Sequence, residues 1–198
     1  TMVPPIQVTA ITHRANPLFP AVIFNGAPSE TACRQAGMDR LFLPLVRGLS
    51  SAIVEYARPA WSSGNAVVVS LRKGSPLEAR TVCHALWSCP GLRLARWIVV
   101  VDEDVDLCSE GDVWAAVARH VDPQRDLVIS DGPAHPDDHA TALRGIGGRI
   151  AIDATRKTAE EGFPRTWPAP LRSSEETMQK LAERWSEFGL PERWGVGP

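Results

Sequence analysis

No run of apolar residues in this 198-residue chain approaches the roughly 18 in a row that a membrane-spanning helix requires. The beginning of the sequence carries neither the basic region nor the apolar core of a secretory signal, so the expected compartment is the cytoplasm. Lysine and arginine never form a block, and 21 basic against 23 acidic residues leave a formal charge of −2. A surface so balanced gives no net field to draw nucleic acid or anionic lipid, and neither is an expected partner. Of the four cysteines, Cys33, Cys83, Cys89 and Cys108, no two make a CxxC pair. That argues against a metal site and a disulfide framework, and leaves reduced, structural thiols as the expectation.

What is present suits one folded core, since 198 residues with 44% apolar content can bury a sizeable interior. Hydrophobic spacing and turn residues predict strands at 6–13, 21–24, 52–56, 66–71, 126–129 and from Trp97 onward. Helices are predicted at about 30–46, capped by Ser29 and interrupted at Pro44, at about 77–88, and at about 112–120 with a cap near Ser109. The alternation predicts an α/β fold, a layered sandwich of a mixed β-sheet flanked by helices. Residues 131–149, rich in Pro, Gly, Asp and His, and residues 162–170, with three prolines, read as extended loops. A final helix at about 174–188, with Leu181, Trp185 and Phe188 along one stripe, ends at Gly189 and Pro191. The expected organisation is an α/β domain over 1–158 and a long proline-rich C-terminal arm over 159–198. A helix at the end of such an arm needs a surface to pack on, and an oligomer contact is expected there.

Three groupings are candidates for chemistry. Residues 97–107, WIVVVDEDVDL, run a hydrophobic strand into Asp102, Glu103, Asp104 and Asp106, and ligand crevices in α/β sheets lie beyond the carboxyl ends of strands. Asp102-Glu103-Asp104-Val105 fits the short DxDx(T/V) signature of haloacid-dehalogenase-like phosphatases, where one aspartate attacks phosphorus, the other handles the proton and both orient Mg²⁺. That family also needs a lysine, and none lies between Asp106 and Asp131. His135, Asp137, Asp138 and His139 combine ligand types that suit zinc or iron, but their spacing fits no defined site and a solvated loop is preferred. Gly145, Gly147 and Gly148 invite a phosphate-loop reading. They precede the strand-like RIAID instead of following a strand and opening a helix, so a flexible loop leading to a short strand is expected.

VTAITHRANPLFPAVIFNGAPSE (8–30), WIVVVDEDVDL (97–107), HVDPQRDLVIS (120–130), IAIDATRK (150–157) and the closing helix with Trp185, Gly189 and Leu190 follow one another in order. Together they resemble the C-terminal half of the UbiD family, the prenylated-flavin-dependent decarboxylases. The resemblance implies the closing and oligomerisation domain of a reversible carboxy-lyase of aromatic or α,β-unsaturated carboxylic acids. It implies that the catalytic carboxylates and arginine lie on an N-terminal domain or a flavin-binding partner subunit. The prenylated FMN, its divalent metal and K⁺ as an optional further ion belong there too. No catalytic, cofactor-binding or metal residue is then expected in this chain, which alone would be inert.

By position against the family pattern, Gln35, Arg96, Pro133 and His135 are the substrate-pocket candidates. Where family members often place bulky apolar residues, residues 132–139 read GPAHPDDH, which points to a polar or smaller acid. The resemblance gives Asp102, Glu103, Asp104 and Asp106 a structural role at the turn, and Asp153, Arg156 and Lys157 a role in fixing the course of the arm. Two alternatives stand beside it: a Mg²⁺-dependent phosphatase using Asp102 and Asp104, and a non-catalytic oligomerisation module anchored by Trp167, Trp185 and Trp194.

Overall fold

Residues 66–71, Ala-Val-Val-Val-Ser-Leu, are apolar at both parities, and only a strand covered on both faces can bury such a run. In the computed structural model, which describes residues 5–21, 30–62, 64–136, 138–169, 171 and 173–189, every one of the six is buried. Helix α1 (Glu30–Arg47) leads into strand β1 (Ile53–Ala57) and β2 (Ala66–Leu71). Helix α2 (Glu78–Ser88) crosses over to β3 (Trp97–Asp102), and α3 (Glu110–His120) precedes β4 (Leu127–Pro133) and β5 (Ile146–Asp153). Helix α4 (Glu175–Glu183) comes last, followed by a 3₁₀ turn at Trp185–Phe188.

Among the described residues the sheet has five strands in the order β1-β2-β3-β5-β4. The three central strands run parallel, with Val68 opposite Val99 and Val99 opposite Ile152. Both edge strands, β1 and β4, are antiparallel to their neighbours. The period-two alternation of strand side chains splits the core into two layers. Val67, Val69, Leu71, Ile98 and Val100 face α2 and pack on Val82, Cys83, Leu86 and Trp87. Val68, Val99 and Val101 face the other way, onto Val113 and Ala116 of α3 and onto Leu107. The expected α/β sandwich with a mixed sheet is therefore the fold, and each fully buried valine or leucine contributes roughly 1.5–3 kcal/mol.

Helix starts follow local chemistry. Ser109 accepts the Asp112 N–H at 3.2 Å and caps α3. Before α2, the Glu78 carboxylate accepts the N–H groups of Gly74 at 2.6 Å and Ser75 at 3.2 Å, while Leu77 takes the left-handed conformation with φ 60°.

Four expectations are corrected by the structure. Residues 6–13 form no strand, and Ile6 and Ile11 are 89% and 81% exposed. Alternating apolar residues are not enough, because a strand also needs a neighbour to pair its N–H and C=O groups, and no described strand pairs here. Pro44 does not interrupt α1, which runs to Arg47. It lies in the last turn, where the Gly48 N–H still reaches the carbonyls of Pro44 and Leu45, each at 3.2 Å. Much of the supposed loop at 131–149 is strand, since β4 reaches Pro133 and β5 starts at Ile146. Gly132 and Gly147 pair across that ladder. A Cβ on Gly147 would meet Thr141 Cγ2 at 2.4 Å, and one on Gly132 would meet the Arg149 guanidinium at 2.8 Å. These glycines therefore mark close approaches within a hairpin and not a phosphate loop. The final helix is shorter than expected, ending at Glu183 before a 3₁₀ turn and Gly189 at φ 61°. The strand expected at 21–24 falls largely outside the described residues, as do Ser29, Asp137, Leu190 and Trp194.

The chain divides into two compact units, Thr1–Arg156 and Lys157–Pro198. Within the second, Thr158 and Glu161 form a capping box, Phe163 stacks on Trp167 with ring centroids 4.4 Å apart, and the Trp167 indole donates to the Lys157 carbonyl at 2.8 Å. Met178, Leu181 and Trp185 are half-buried along one stripe, while Phe188 is exposed.

Candidate functional site

On the face of helix α1 that packs inward, Gln35 and Asp39 precede the apolar Leu43 and Val46. Gln35 and Asp39 are one helical turn apart, and the Gln35 amide donates to Asp39 Oδ1 at 3.0 Å. Asp39 is buried at 4% exposure, so its charge must be answered inside the protein. Arg58, just beyond β1, answers it: the Arg58 backbone N–H donates to Asp39 Oδ2 at 2.9 Å and its Nε to Oδ1 at 2.8 Å, with Nη2 also on Oδ1. Tyr56 of β1 lies beside this pair. Burial, with the Asp39 charge adding to it, pushes its phenol up to about 12 and keeps it protonated.

Gln35, Tyr56 and Arg58 line a cavity of about 580 Å³ together with Met38, Phe42 and the 89–92 turn. A second cavity of about 420 Å³ is lined by Arg58, Asn65, Ala95, His135 and Asp138. Arg58, Gly91 and Leu92 line both, so the two adjoin. They lie at the end of the sheet where β2 and β3 begin.

The Arg96 guanidinium donates from Nη1 to both Asp138 carboxylate oxygens at 3.0 Å. The Ala140 backbone N–H, followed by Arg96, holds the Asp138 carboxyl below the usual carboxylate range. Thus the structure brings three of the four pocket candidates to the two cavities: Gln35 in the larger, His135 in the smaller, and Arg96 gripping the Asp138 that lines it. Pro133 ends β4, is exposed and lines neither cavity. Sequence reasoning missed Asp39, Tyr56 and Arg58. The available signal was a carboxylate one turn after Gln35 and one turn before Leu43, on a stripe that goes on to Val46.

The acidic turn lies at the opposite end of β3. Arg156 donates its backbone N–H to Asp102 at 2.9 Å and its guanidinium to Asp104 at 2.8 and 3.2 Å. Arg72 chelates Glu103 at 2.6 and 2.9 Å, and Asp106 accepts the Cys108 N–H at 2.9 Å. Burial pushes the Asp102 carboxyl up, whereas Arg156 holds Asp104 down and Arg72 holds Glu103 down. These carboxylates are occupied in closing the turn and anchoring residues 153–156, where Thr155 donates to Asp153 at 2.6 Å and the Lys73 ammonium to the Arg156 carbonyl at 2.8 Å. A phosphatase would need Asp102 and Asp104 turned to a cation, but a guanidinium holds that place. Among the described residues no three His, Cys, Asp or Glu side chains are grouped to hold a metal.

Comparison with known proteins agrees with the pattern of segments. The profile of the 3-octaprenyl-4-hydroxybenzoate carboxy-lyase C-terminal domain matches residues 35–154. An uncharacterized protein of Archaeoglobus fulgidus is 35% identical over 187 residues, 93% of this chain and 39% of that protein. One of Aquifex aeolicus is 36% identical over 188 residues, 94% of this chain and again 39% of the relative. The chain thus spans well under half the length of these relatives. Among solved structures, the vanillic acid decarboxylase of Sedimentibacter hydroxybenzoicus in a closed form is 27% identical with a TM-score of 0.63, covering 71% of this chain and 30% of that one. A UbiD-class enzyme of Pelotomaculum thermopropionicum in complex with FMN, 23% identical at a TM-score of 0.55 over 66% of this chain and 29% of its own, shares the fold. The chain belongs to the UbiD family of carboxy-lyases and corresponds to their C-terminal domain.

Proposed function

We propose that this chain is the closing domain of a reversible decarboxylase of aromatic or α,β-unsaturated carboxylic acids. In this reading a flavin-binding domain or partner subunit carries the prenylated FMN, its metal and the catalytic carboxylates and arginine. No residue of this chain is assigned to the cofactor in this reading. When bound on that domain or subunit, prenylated FMN would supply the electron sink that decarboxylation needs. This chain supplies the cover: the two adjoining cavities receive the part of the acid that projects from the flavin, and the apolar wall of the larger one excludes water.

The observation that carries this reading is the family match over 35–154, which spans Gln35, Arg96, Pro133 and His135. The vanillic acid decarboxylase is known in open and closed forms. We assign a similar movement to this domain, with residues 159–198 making contacts between copies and the assembly residing in the cytoplasm.

The test is CO₂ release from a panel of aromatic and α,β-unsaturated acids by the intact, flavin-loaded protein. Gln35→Ala and His135→Ala should each lower kcat/KM about tenfold, as loss of a pocket contact does, without changing the flavin spectrum. Turnover unaffected by both substitutions would remove this face from the pocket. Absence of turnover on every acid would refute the decarboxylase reading.

A further inference from the structure

Asp39 lies behind the 580 Å³ cavity and holds three of its lining side chains, Gln35, Tyr56 and Arg58. The Gln35 amide nitrogen is committed to Asp39, which leaves its carbonyl oxygen as the acceptor available to a ligand. The Arg58 charge is matched by the Asp39 carboxylate at hydrogen-bond distance, so the inner end of the cavity is polar but carries no net charge. Met38, Phe42 and Leu45 form its apolar wall, and the exposed Arg34 lies at its solvent side.

We infer that Asp39 sets the charge preference of this cavity: by neutralising Arg58 it makes the inner end accept a neutral hydroxyl or carboxamide and reject a carboxylate. A bound acid then lies with its carboxylate outward, toward Arg34 and solvent, and its neutral end against Gln35 and Arg58. A second carboxylate at the inner end would have to shed its water to face a guanidinium whose charge is already spent. Removing the Asp39 charge while keeping its shape converts the same guanidinium into an anion site. Asp39 is thus a positioning and specificity-determining residue. The inference gives the substrate pocket proposed above its selectivity, and it concerns binding alone.

Two probes of one skeleton test it, 4-(hydroxymethyl)benzoate and terephthalate, titrated into the intact protein while following the ¹³C-methyl resonance of Met38, assigned with Met38→Leu. The wild-type protein should bind the hydroxymethyl acid at least about tenfold more tightly than the diacid, in line with the loss expected when a polar site meets the wrong partner. Asp39→Asn should tighten terephthalate about tenfold, and Asp39→Asn/Arg58→Met should abolish the gain. Gln35→Met should weaken the hydroxymethyl acid and leave terephthalate unchanged. Equal affinities in the wild type, no Met38 shift with either probe, or a terephthalate gain that survives removal of Arg58 would each overturn the inference. If Asp39→Asn does not fold, the wild-type comparison and Gln35→Met decide it. Failure of the decarboxylase reading would appear as absent CO₂ release and would leave this discrimination in binding intact.

Discussion

Replacing Asp39 by alanine should be among the most destabilising single changes outside the apolar core of this domain. The Asp39 side chain is 5% exposed and that of Arg58 20%. Alanine would leave the guanidinium, the Tyr56 hydroxyl and the Gln35 amide without the carboxylate they share. Removing one partner of a buried pair costs roughly 3–5 kcal/mol, and the residual exposure of Arg58 lets water recover part of that, giving about 3 kcal/mol here. Arg58→Met should cost at least as much, because Asp39 is the more deeply buried partner. The double substitution Asp39→Ala/Arg58→Met leaves no unpaired charge, so its cost should fall short of the sum of the singles by about 2–3 kcal/mol. Urea unfolding followed by tryptophan fluorescence reads this directly. With a slope of about 2 kcal/mol per molar, each single variant should lose about 1.5 M in midpoint. A shift below about 0.5 M for Asp39→Ala, or singles that simply add, would refute the reasoning, since either outcome means the pair is solvated and not buried.

Asp102→Asn should stabilise the chain at neutral pH, because burial raises this carboxyl and the amide keeps an oxygen for the Arg156 N–H. The folded state then binds the Asp102 proton more tightly than the unfolded state, so wild-type stability is penalised above the folded pKa and relieved as pH falls through it toward about 4. The advantage of the variant should accordingly shrink on acidification in thermal melts, and a constant advantage from pH 7 to 4 counts against the argument. Leu77, 53% exposed and held at φ 60°, should be improved by asparagine, which tolerates the left-handed region: about 0.5–1 kcal/mol, or roughly 1–3 °C in melting temperature, with an unchanged melt as the contrary result. Burial pushes the Cys83 thiol up to about 12, so iodoacetamide at neutral pH should modify the exposed Cys33 and Cys108 and reach Cys83 only in denaturant. Peptide mass spectrometry decides this, and labelling of native Cys83 would contradict its burial.

Elements that carry their own period were legible in the sequence. The 66–71 strand was placed to the residue, and the helices at 78–88 and 110–120 to within about two residues, because hydrophobic spacing and capping groups such as Ser109 are local signals. Elements defined by a partner were not. Residues 6–13 alternate as a strand should and find no partner, while Gly132 and Gly147 look like loop residues and yet pair in a ladder, because antiparallel pairing asks only for backbone. The structural role that the resemblance gave the acidic turn agrees with its hydrogen bonds, but the partners themselves were not legible. Asp102 and Asp104 are answered by Arg156, more than fifty residues downstream, and Glu103 by Arg72, 31 residues upstream, and nothing in the local sequence announces either.

The same asymmetry explains the site. Gln35, Arg96 and His135 were reached through family resemblance, and the fold then placed them around two adjoining cavities. Asp39 and Arg58 were invisible to both routes, being two ordinary charges on a chain that carries 44. A charge becomes specific only when the packing of a helix on a strand buries it beside its opposite, and here α1 on β1 does so across 19 residues of sequence. Burial also gives such a pair its functional weight. In water the guanidinium would bind any anion weakly, whereas behind a cavity wall its preference is dictated by whatever already neutralises it. If Asp39 sets the charge preference of the cavity as inferred, selectivity resides less in the residues that line the cavity than in the carboxylate behind them.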